Sequence, residues 1–138
     1  MDVNTALKFA SLKLKKNKIF SYKLDSEILM SKVFRKKREE IILNSDYKLS
    51  NSQTIFFKKL LNERSKGKPI SYIVGKKDFW KSEFVINESS LIPRPDSELI
   101  VQGVLKYLKY KSSIKLLEIG VGSGCILLSI LKERRDCY

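Results

Sequence analysis

The chain has 138 residues, a hydrophobic fraction of 43% and a formal net charge of +13. This length suits one domain, or a small domain joined to part of a second one. Two cysteines and no histidine predict no metal site, and the lack of a long apolar run or a signal-like start predicts a cytoplasmic protein without a membrane partner.

Positive charge is concentrated in the first half of the chain. Residues 1–75 hold 17 Lys and Arg against 7 Asp and Glu, whereas residues 76–138 hold 11 against 8. A basic surface can meet nucleic acid or an acidic partner. Because the lysines recur on many segments and do not form one stripe, we interpret them as solvated helix faces. Direct nucleic-acid binding is an alternative that the pattern does not favour.

Amphipathic helices are predicted over the first half of the chain. The first helix carries apolar residues at helical spacing, namely Val3, Leu7, Ala10 and Leu14. It is expected to end at Asn17, and further helices are predicted over residues 25–34 and 38–43. The apolar faces of such short helices must pack on one another, so residues 1–75 are predicted to form an all-α helical bundle.

The fourth helix has the clearest sequence boundaries. Ser50 and Gln53 fit a capping box, in which each side chain bonds the other residue's backbone amide. Gly67 can adopt the left-handed conformation that follows a helix, and Pro69 prevents the helix from continuing. The apolar residues between these boundaries are expected to face the bundle interior: Phe56, Phe57, Leu60 and Leu61.

The pattern changes after residue 75. Residues 79–86 carry β-forming side chains, residues 87–90 are typical of a turn, and Leu91-Ile92 resumes the apolar pattern. This predicts a β-hairpin within a linker of residues 76–95. The elements predicted beyond the linker are a helix over 96–110, a buried strand over 114–119 and a helix over 125–134.

A glycine-rich turn joins the predicted strand to the last helix. The turn reads Gly120-Val121-Gly122-Ser123-Gly124, and Glu118 comes just before it. Glycines allow a sharp turn and a close approach of backbone to ligand, which is typical of nucleotide-type cofactor sites. The carboxylate of Glu118 can accept hydrogen bonds from a ligand ammonium or from the loop amides. A plain strand–helix connection is the alternative, and Cys125 is expected to be a packed residue.

The spacing of this turn narrows the choice of ligand. No Lys-Ser or Lys-Thr pair follows it, which excludes a P-loop. The glycines are closer together than in the dinucleotide fingerprint. A tight turn preceded by an acidic residue favours S-adenosylmethionine over NAD.

A second polar cluster precedes the predicted helix of residues 96–110. Arg94, Asp96, Ser97 and Glu98 supply a cation, two carboxylates and a hydroxyl at its start. These groups either cap the helix after a stiff proline segment or form a wall of the cofactor pocket. The sequence by itself leaves both interpretations open.

Four sequence blocks occur together in a fixed order. They are Gly67-Lys68-Pro69-Ile70-Ser71-Tyr72-Ile73-Val74-Gly75, Asp78-Phe79-Trp80, Ile92-Pro93-Arg94-Pro95-Asp96-Ser97-Glu98 and Glu118-Ile119-Gly120-Val121-Gly122-Ser123-Gly124-Cys125-Ile126. On these blocks the chain resembles the HemK/PrmC family, the protein-(glutamine-N5) methyltransferases that modify peptide chain release factors. The resemblance extends over nearly the whole chain.

The resemblance implies a methyl transfer from S-adenosylmethionine to the glutamine amide in the Gly-Gly-Gln motif of class I release factors. By position, the residues that would line the cofactor are Gly120, Val121, Gly122, Ser123 and Gly124. Glu118 stands where the family more often has Asp, and Ser97 where it often has Thr. A carboxylate and a hydroxyl are therefore retained. The helical domain would help to recognise the release factor.

The chain departs from the family at two points. The carboxylate that binds the cofactor ribose is expected after residue 138, and the Asn-Pro-Pro-Tyr motif that orients the glutamine amide does not occur. No catalytic residue is therefore assigned. We expect an α/β protein, with the truncated start of a Rossmann-like class I methyltransferase domain in residues 96–138, that is inactive alone.

Two other interpretations stay open at this point. The chain could be a degraded or frameshifted gene product without activity. It could also be a non-catalytic basic module that docks on release factor or ribosomal RNA. A separate chain could supply the remaining half, and the gene could continue into a second enzyme.

Overall fold

Residues 1–138 are all described by the computed structural model, and the chain divides after Val74 into two units. The first unit is Met1–Val74 and the second is Gly75–Tyr138. The first contains only helices: α1 (Val3–Lys16), α2 (Tyr22–Phe34), α3 (Arg38–Leu43), α4 (Asn51–Ser65) and α5 (Ile70–Val74). None of the helices in the chain is long and apolar enough to cross a membrane.

Local capping fixes the ends of the longest helices in the first unit. Asp2 accepts a hydrogen bond from the Thr5 amide at 2.7 Å and so caps the start of α1. The predicted capping box of α4 is present, since the Gln53 amide donates to Ser50 Oγ at 3.2 Å and the Ser50 amide donates to Gln53 Oε1 at 2.9 Å. Gly67 has φ +94°, as expected after the helix end.

The core of the first unit lies between α1, α2 and α4. The buried face of α1 differs slightly from the predicted one, because Ala6 is fully buried whereas Leu7 is only half-buried. Phe57 and Leu61 of α4 are also fully buried, while Phe56 is 38% exposed. Ala6 and Ala10 are both fully buried on this face of α1.

A buried ion pair connects α2 to α4. Arg64 Nε donates to Asp25 Oδ2 at 2.7 Å, and the same carboxylate oxygen accepts a hydrogen bond from Ser21 Oγ at 2.8 Å. Arg64 Nη1 also donates to the Lys68 carbonyl at 3.0 Å. The guanidinium therefore joins two helices and the turn that follows α4. Lys32 Nζ donates to the Val74 carbonyl at the end of α5, at 2.8 Å.

The second unit begins with a two-stranded antiparallel sheet. Strand β1 (Lys76–Phe79) pairs with β2 (Ser82–Val85), and the two central residues of the turn are Trp80 and Lys81. The prediction of a hairpin turn at residues 87–90 was therefore wrong. Those residues do turn, but the following Leu91 is 73% exposed and lies in no strand, and Pro93 lacks the amide that a strand ladder needs.

Two helices pack together in the second unit. A short 3₁₀ turn, Pro95–Ser97, leads into α6 (Glu98–Tyr107), which is shorter than predicted. The last helix is α7 (Cys125–Glu133). A small core forms around Phe79, Val101, Cys125 and Ile130, so the interpretation of Cys125 as a packed residue is confirmed.

The predicted buried strand over residues 114–119 is not present as a regular strand. The Leu116 amide donates to the Tyr138 carbonyl at 2.8 Å, and the Tyr138 amide donates to the Ile114 carbonyl at 3.1 Å. In a pair of parallel strands, each bonded residue likewise contacts two residues of its neighbour. Here Tyr138 is the one residue of the partner segment that takes part. Leu117 and Ile119 are 87% and 90% exposed, because a strand is buried only where neighbouring strands and helices cover it. The chain thus combines helices with a small sheet.

Candidate functional site

The backbone of the glycine turn requires glycine at three positions. Gly120, Gly122 and Gly124 have φ values of +78°, +55° and +72°, a region that costs other residues free energy. The Gly124 amide donates to the Val121 carbonyl at 2.8 Å, which closes the turn. A Cβ atom at Gly124 would lie 3.4 Å from Leu128 Cδ1, an ordinary van der Waals contact, so the positive φ is what favours glycine there.

The outer part of the turn is open. Gly120, Val121 and Gly122 are exposed, Ser123 is half-buried and Gly124 is buried. A Cβ at Gly120 would have no neighbour within 4 Å. A ligand can therefore reach the backbone from the side of the first two glycines, whereas Gly124 packs against α7.

Glu118 anchors the turn to α7. Its Oε2 accepts a hydrogen bond from the Leu127 amide at 3.2 Å. Leu127 is the third residue of α7 and cannot bond its amide within the helix. The carboxylate satisfies this amide and complements the positive end of the helix. Glu118 thus anchors the turn, but through an amide of α7 and not through the loop amides that the sequence predicted.

Two further amides at the start of α7 make no hydrogen bond within the helix, as is usual in the first turn of a helix. The Leu128 amide donates to the Gly124 carbonyl at 3.0 Å and begins the helical ladder. The amides of Cys125 and Ile126 make no such bond. Together with the exposed glycines, they form a set of backbone donors suited to a negatively charged or carbonyl-bearing group.

Ser97 lies in the same unit but does not bond to the glycine turn. It is half-buried at the end of the 3₁₀ turn, and its amide donates to the Arg94 carbonyl at 3.0 Å. The adjacent Glu98 has a structural contact, because its Oε1 accepts a hydrogen bond from the Trp80 amide at 2.7 Å. This bond supports Trp80, whose φ is +54°.

The hairpin turn is also attached to the end of α7, which the sequence did not indicate. The indole nitrogen of Trp80 and the ammonium of Lys81 both donate to Glu133 Oε1, at 3.0 and 2.7 Å. The hydrogen bond from Lys81, followed by that from Trp80, lowers the pKa of the Glu133 carboxyl. These residues are more than fifty positions apart, so no local spacing could have predicted the contact.

Arg134 fixes the far end of α7 in a similar way. Its guanidinium bonds both carboxylate oxygens of Asp136, at 2.8 and 2.7 Å, and donates to the carbonyls of Leu108 and Lys111. The hydrogen bonds that Arg134 donates to the Asp136 carboxylate lower the pKa of Asp136 to about 2. The end of α6 and the tail of the chain are therefore held by one side chain.

Comparison with known proteins agrees with these motifs. Residues 5–75 match the family described as the PrmC N-terminal domain. The chain is 45% identical over 137 residues to the release factor glutamine methyltransferase of Buchnera aphidicola subsp. Baizongia pistaciae, covering 99% of this chain and 49% of that protein. It is 37% identical over 138 residues to the protein of the same name from Leptospira interrogans, covering 98% and 48%.

A longer relative carries a different name. The chain is 34% identical over 159 residues to the bifunctional methyltransferase of Rickettsia felis, covering 96% of this chain and 30% of that protein. The chain thus spans about half the length of the release factor methyltransferases that it matches, and less of the bifunctional protein.

Proposed function

Because this chain belongs to the PrmC family of release factor glutamine methyltransferases, we propose that it supplies the substrate-recognition domain and the cofactor-binding turn of such an enzyme. The reaction would transfer a methyl group from S-adenosylmethionine to the side-chain amide of the glutamine in the Gly-Gly-Gln motif of class I release factors. We place this activity in the cytoplasm, where release factors act.

The glycine turn is the observation that supports this proposal most strongly. Three glycines hold left-handed φ values at the start of α7, and Glu118 anchors the turn through the Leu127 amide. The exposed side of the turn and the available amides fit a ligand that packs against backbone. The two bonds between Tyr138 and the segment at residues 114–116 favour the start of a Rossmann-like β–α–β unit.

S-adenosylmethionine, when bound, supplies a methyl group activated by its sulfonium. The glycine turn and the start of α6 supply some of the groups that would hold this cofactor. Gly120 to Gly124 would line it with backbone donors, Glu118 would keep the turn in place, and Ser97 would add a hydroxyl from the start of α6.

The glutamine amide presents a separate chemical problem. Its nitrogen is a weak nucleophile because the lone pair is delocalised into the carbonyl, so it must be oriented by hydrogen-bond acceptors. The Asn-Pro-Pro-Tyr motif that does this in the family does not occur in the sequence. We therefore propose that the 138-residue polypeptide does not catalyse methylation of the glutamine amide by itself.

A chimeric enzyme tests the proposal. Residues 1–138 are joined to the remaining part of the Buchnera relative that is 45% identical, and methyl transfer from labelled S-adenosylmethionine to a class I release factor is measured. We expect transfer by the chimera and none by the 138-residue chain. Labelled cofactor binding to the chimera provides a second readout.

Two valine substitutions provide a matched comparison. Gly122 has φ +55°, so Gly122→Val should strain the turn and abolish cofactor binding, whereas Gly103 has no positive φ and an open neighbourhood on α6. Gly103→Val should leave binding unchanged. If the chimera with Gly122→Val binds and reacts as the parent does, the assignment of the turn is wrong. Replacing the glutamine of the Gly-Gly-Gln motif should remove all incorporation.

A further inference from the structure

A groove of about 510 Å³ lies on the first unit between α1 and α2, away from the glycine turn in sequence. Its lining residues come from both helices: Leu7, Lys8, Ser11, Leu12 and Lys15 from α1, and Tyr22, Lys23 and Glu27 from α2. Neither the family motifs nor the proposed reaction uses these residues.

The floor and the rim of the groove differ in chemistry. Leu7, Ser11 and Tyr22 are half-buried and form the floor, and the rings and methyls of Tyr22 and Leu7 pack on the core of the unit. Leu12 stands beside them with 70% of its surface exposed. An apolar side chain that remains this exposed next to a concave apolar floor favours contact with another apolar surface.

The rim carries positive charge. Lys8, Lys15 and Lys23 are all exposed lining residues, and the one acidic lining residue, Glu27, lies 3.7 Å from the guanidinium of Arg38. Because Glu27 already has a cationic neighbour, the field at the groove is positive. A partner with carboxylates at its edges would be attracted there.

The spacing along α1 matches a helical partner. Lys8, Leu12 and Lys15 are four and three residues apart, so they form one face of α1 with the leucine between the two lysines. A third helix laid between two helices presents apolar residues at the same spacings. Its flanking acidic residues would then face the lysines.

We propose that this groove binds an amphipathic helix of a protein partner, with apolar residues against Leu7, Leu12 and Tyr22 and carboxylates against the rim lysines. The one aromatic ring of the floor, Tyr22, is half-buried and has Lys15 Nζ 5.8 Å from its centroid, whereas nucleotide bases stack on exposed aromatic rings. The concave shape fits a rod better than a flat lipid surface. The inference concerns the first unit alone and does not depend on the proposed methyl transfer.

A synthetic peptide is the probe for this inference. The peptide is designed as an amphipathic helix of about five turns, with leucines on one face and glutamates on both flanks. It is titrated into the full 138-residue chain at low and at high salt. We expect saturable binding that weakens as salt rises, with amide shift changes confined to α1 and α2.

Charge reversal separates the groove from general basicity. Lys8→Glu with Lys15→Glu should weaken binding about tenfold or more, because like charges then face each other. The control, Lys58→Glu with Lys59→Glu, changes the net charge equally at exposed positions of α4 and should have little effect. A peptide with lysines in place of glutamates should prefer the Lys8/Lys15 variant.

The apolar contribution needs its own variant. Leu12→Ser removes an exposed side chain, so the bundle should keep its far-UV circular dichroism while peptide affinity falls. Equal binding by the parent, both charge-reversed variants and Leu12→Ser would overturn the proposal. Binding of anionic vesicles or single-stranded RNA through the same lysines, with no peptide binding, would overturn it as well.

Discussion

Removing the Arg64 guanidinium should strongly destabilise the first unit. The side chain of Asp25 is only 3% exposed and that of Arg64 15%, with 2.7 Å between Nε and Oδ2. In Arg64→Ala, the Asp25 carboxylate would stay buried with the Ser21 hydroxyl as its remaining donor. The Lys68 carbonyl would also lose its bond from Arg64.

The expected loss is large compared with the stability of the unit. Breaking a buried pair by removing one partner costs about 3–5 kcal/mol. A unit of 74 residues has a free energy of unfolding of about 4–11 kcal/mol, at roughly 0.05–0.15 kcal/mol per residue. Arg64→Ala should therefore leave the bundle only marginally folded at room temperature.

Two spectroscopic probes report the two units separately. Far-UV circular dichroism in a urea titration follows mainly the five helices of the first unit. The chain has one tryptophan, Trp80, and it lies in the second unit, so its fluorescence follows that unit. Arg64→Ala should move the first transition to lower urea and leave the second in place.

An exposed ion pair of the same unit is the control. Arg38 lies 3.7 Å from Glu27, with side-chain exposures of 42% and 27%, so Arg38→Ala should cost less than about 1 kcal/mol. The apolar double variant Asp25→Leu with Arg64→Met should recover much of the loss, because no charge is then left buried. A loss below about 1 kcal/mol for Arg64→Ala would refute the reasoning, since desolvated charges cost more than that.

Three smaller changes concern the second unit. Ser129 is 1% exposed and its hydroxyl has no hydrogen-bond partner, so Ser129→Ala should raise the free energy of unfolding of the second unit by about 1 kcal/mol, seen as a higher urea midpoint of the fluorescence transition. Arg134 lowers the pKa of Asp136 from 3.8 to about 2. The contribution of this contact to the stability of the second unit is therefore present above pH 4 and lost as pH falls through 2. A carboxyl-carbon NMR titration of Asp136 checks the lowered pKa. Glu118→Gln removes the charge at the start of α7, so hydrogen exchange of the Leu127 amide should become faster, and unchanged protection would contradict the anchoring role.

The features predicted correctly from the sequence depend on neighbours along the chain. The capping box of Ser50 and Gln53 and the left-handed Gly67 involve residues within one or two helical turns, so the sequence specifies them directly. The three glycines with positive φ could be predicted for the same reason. Their assignment as cofactor-binding residues stays a prediction.

The features that the sequence did not predict depend on distant partners. The hairpin turn at Trp80 and Lys81 contains no glycine or asparagine, and it is supported by Glu98 and Glu133 instead of by its own residues. The segment at residues 114–119 has the apolar composition of a strand, but a strand forms only beside another one. Glu118 had two predicted roles because nothing local distinguishes a ligand from the Leu127 amide.

Trp80 is hydrogen-bonded to Glu98 at the start of α6 and to Glu133 at the end of α7. Its fluorescence should therefore report changes in the position of these helices. Its indole bonds Glu133 at the last turn of α7, while the glycine turn lies at the first turn of the same helix, about 13 Å away for nine residues. If α7 tilts as a unit, Glu133 moves with it. Ligand binding at the turn should therefore change the emission of Trp80 without any added label, and an emission spectrum that stays constant at saturating ligand would show that α7 does not move.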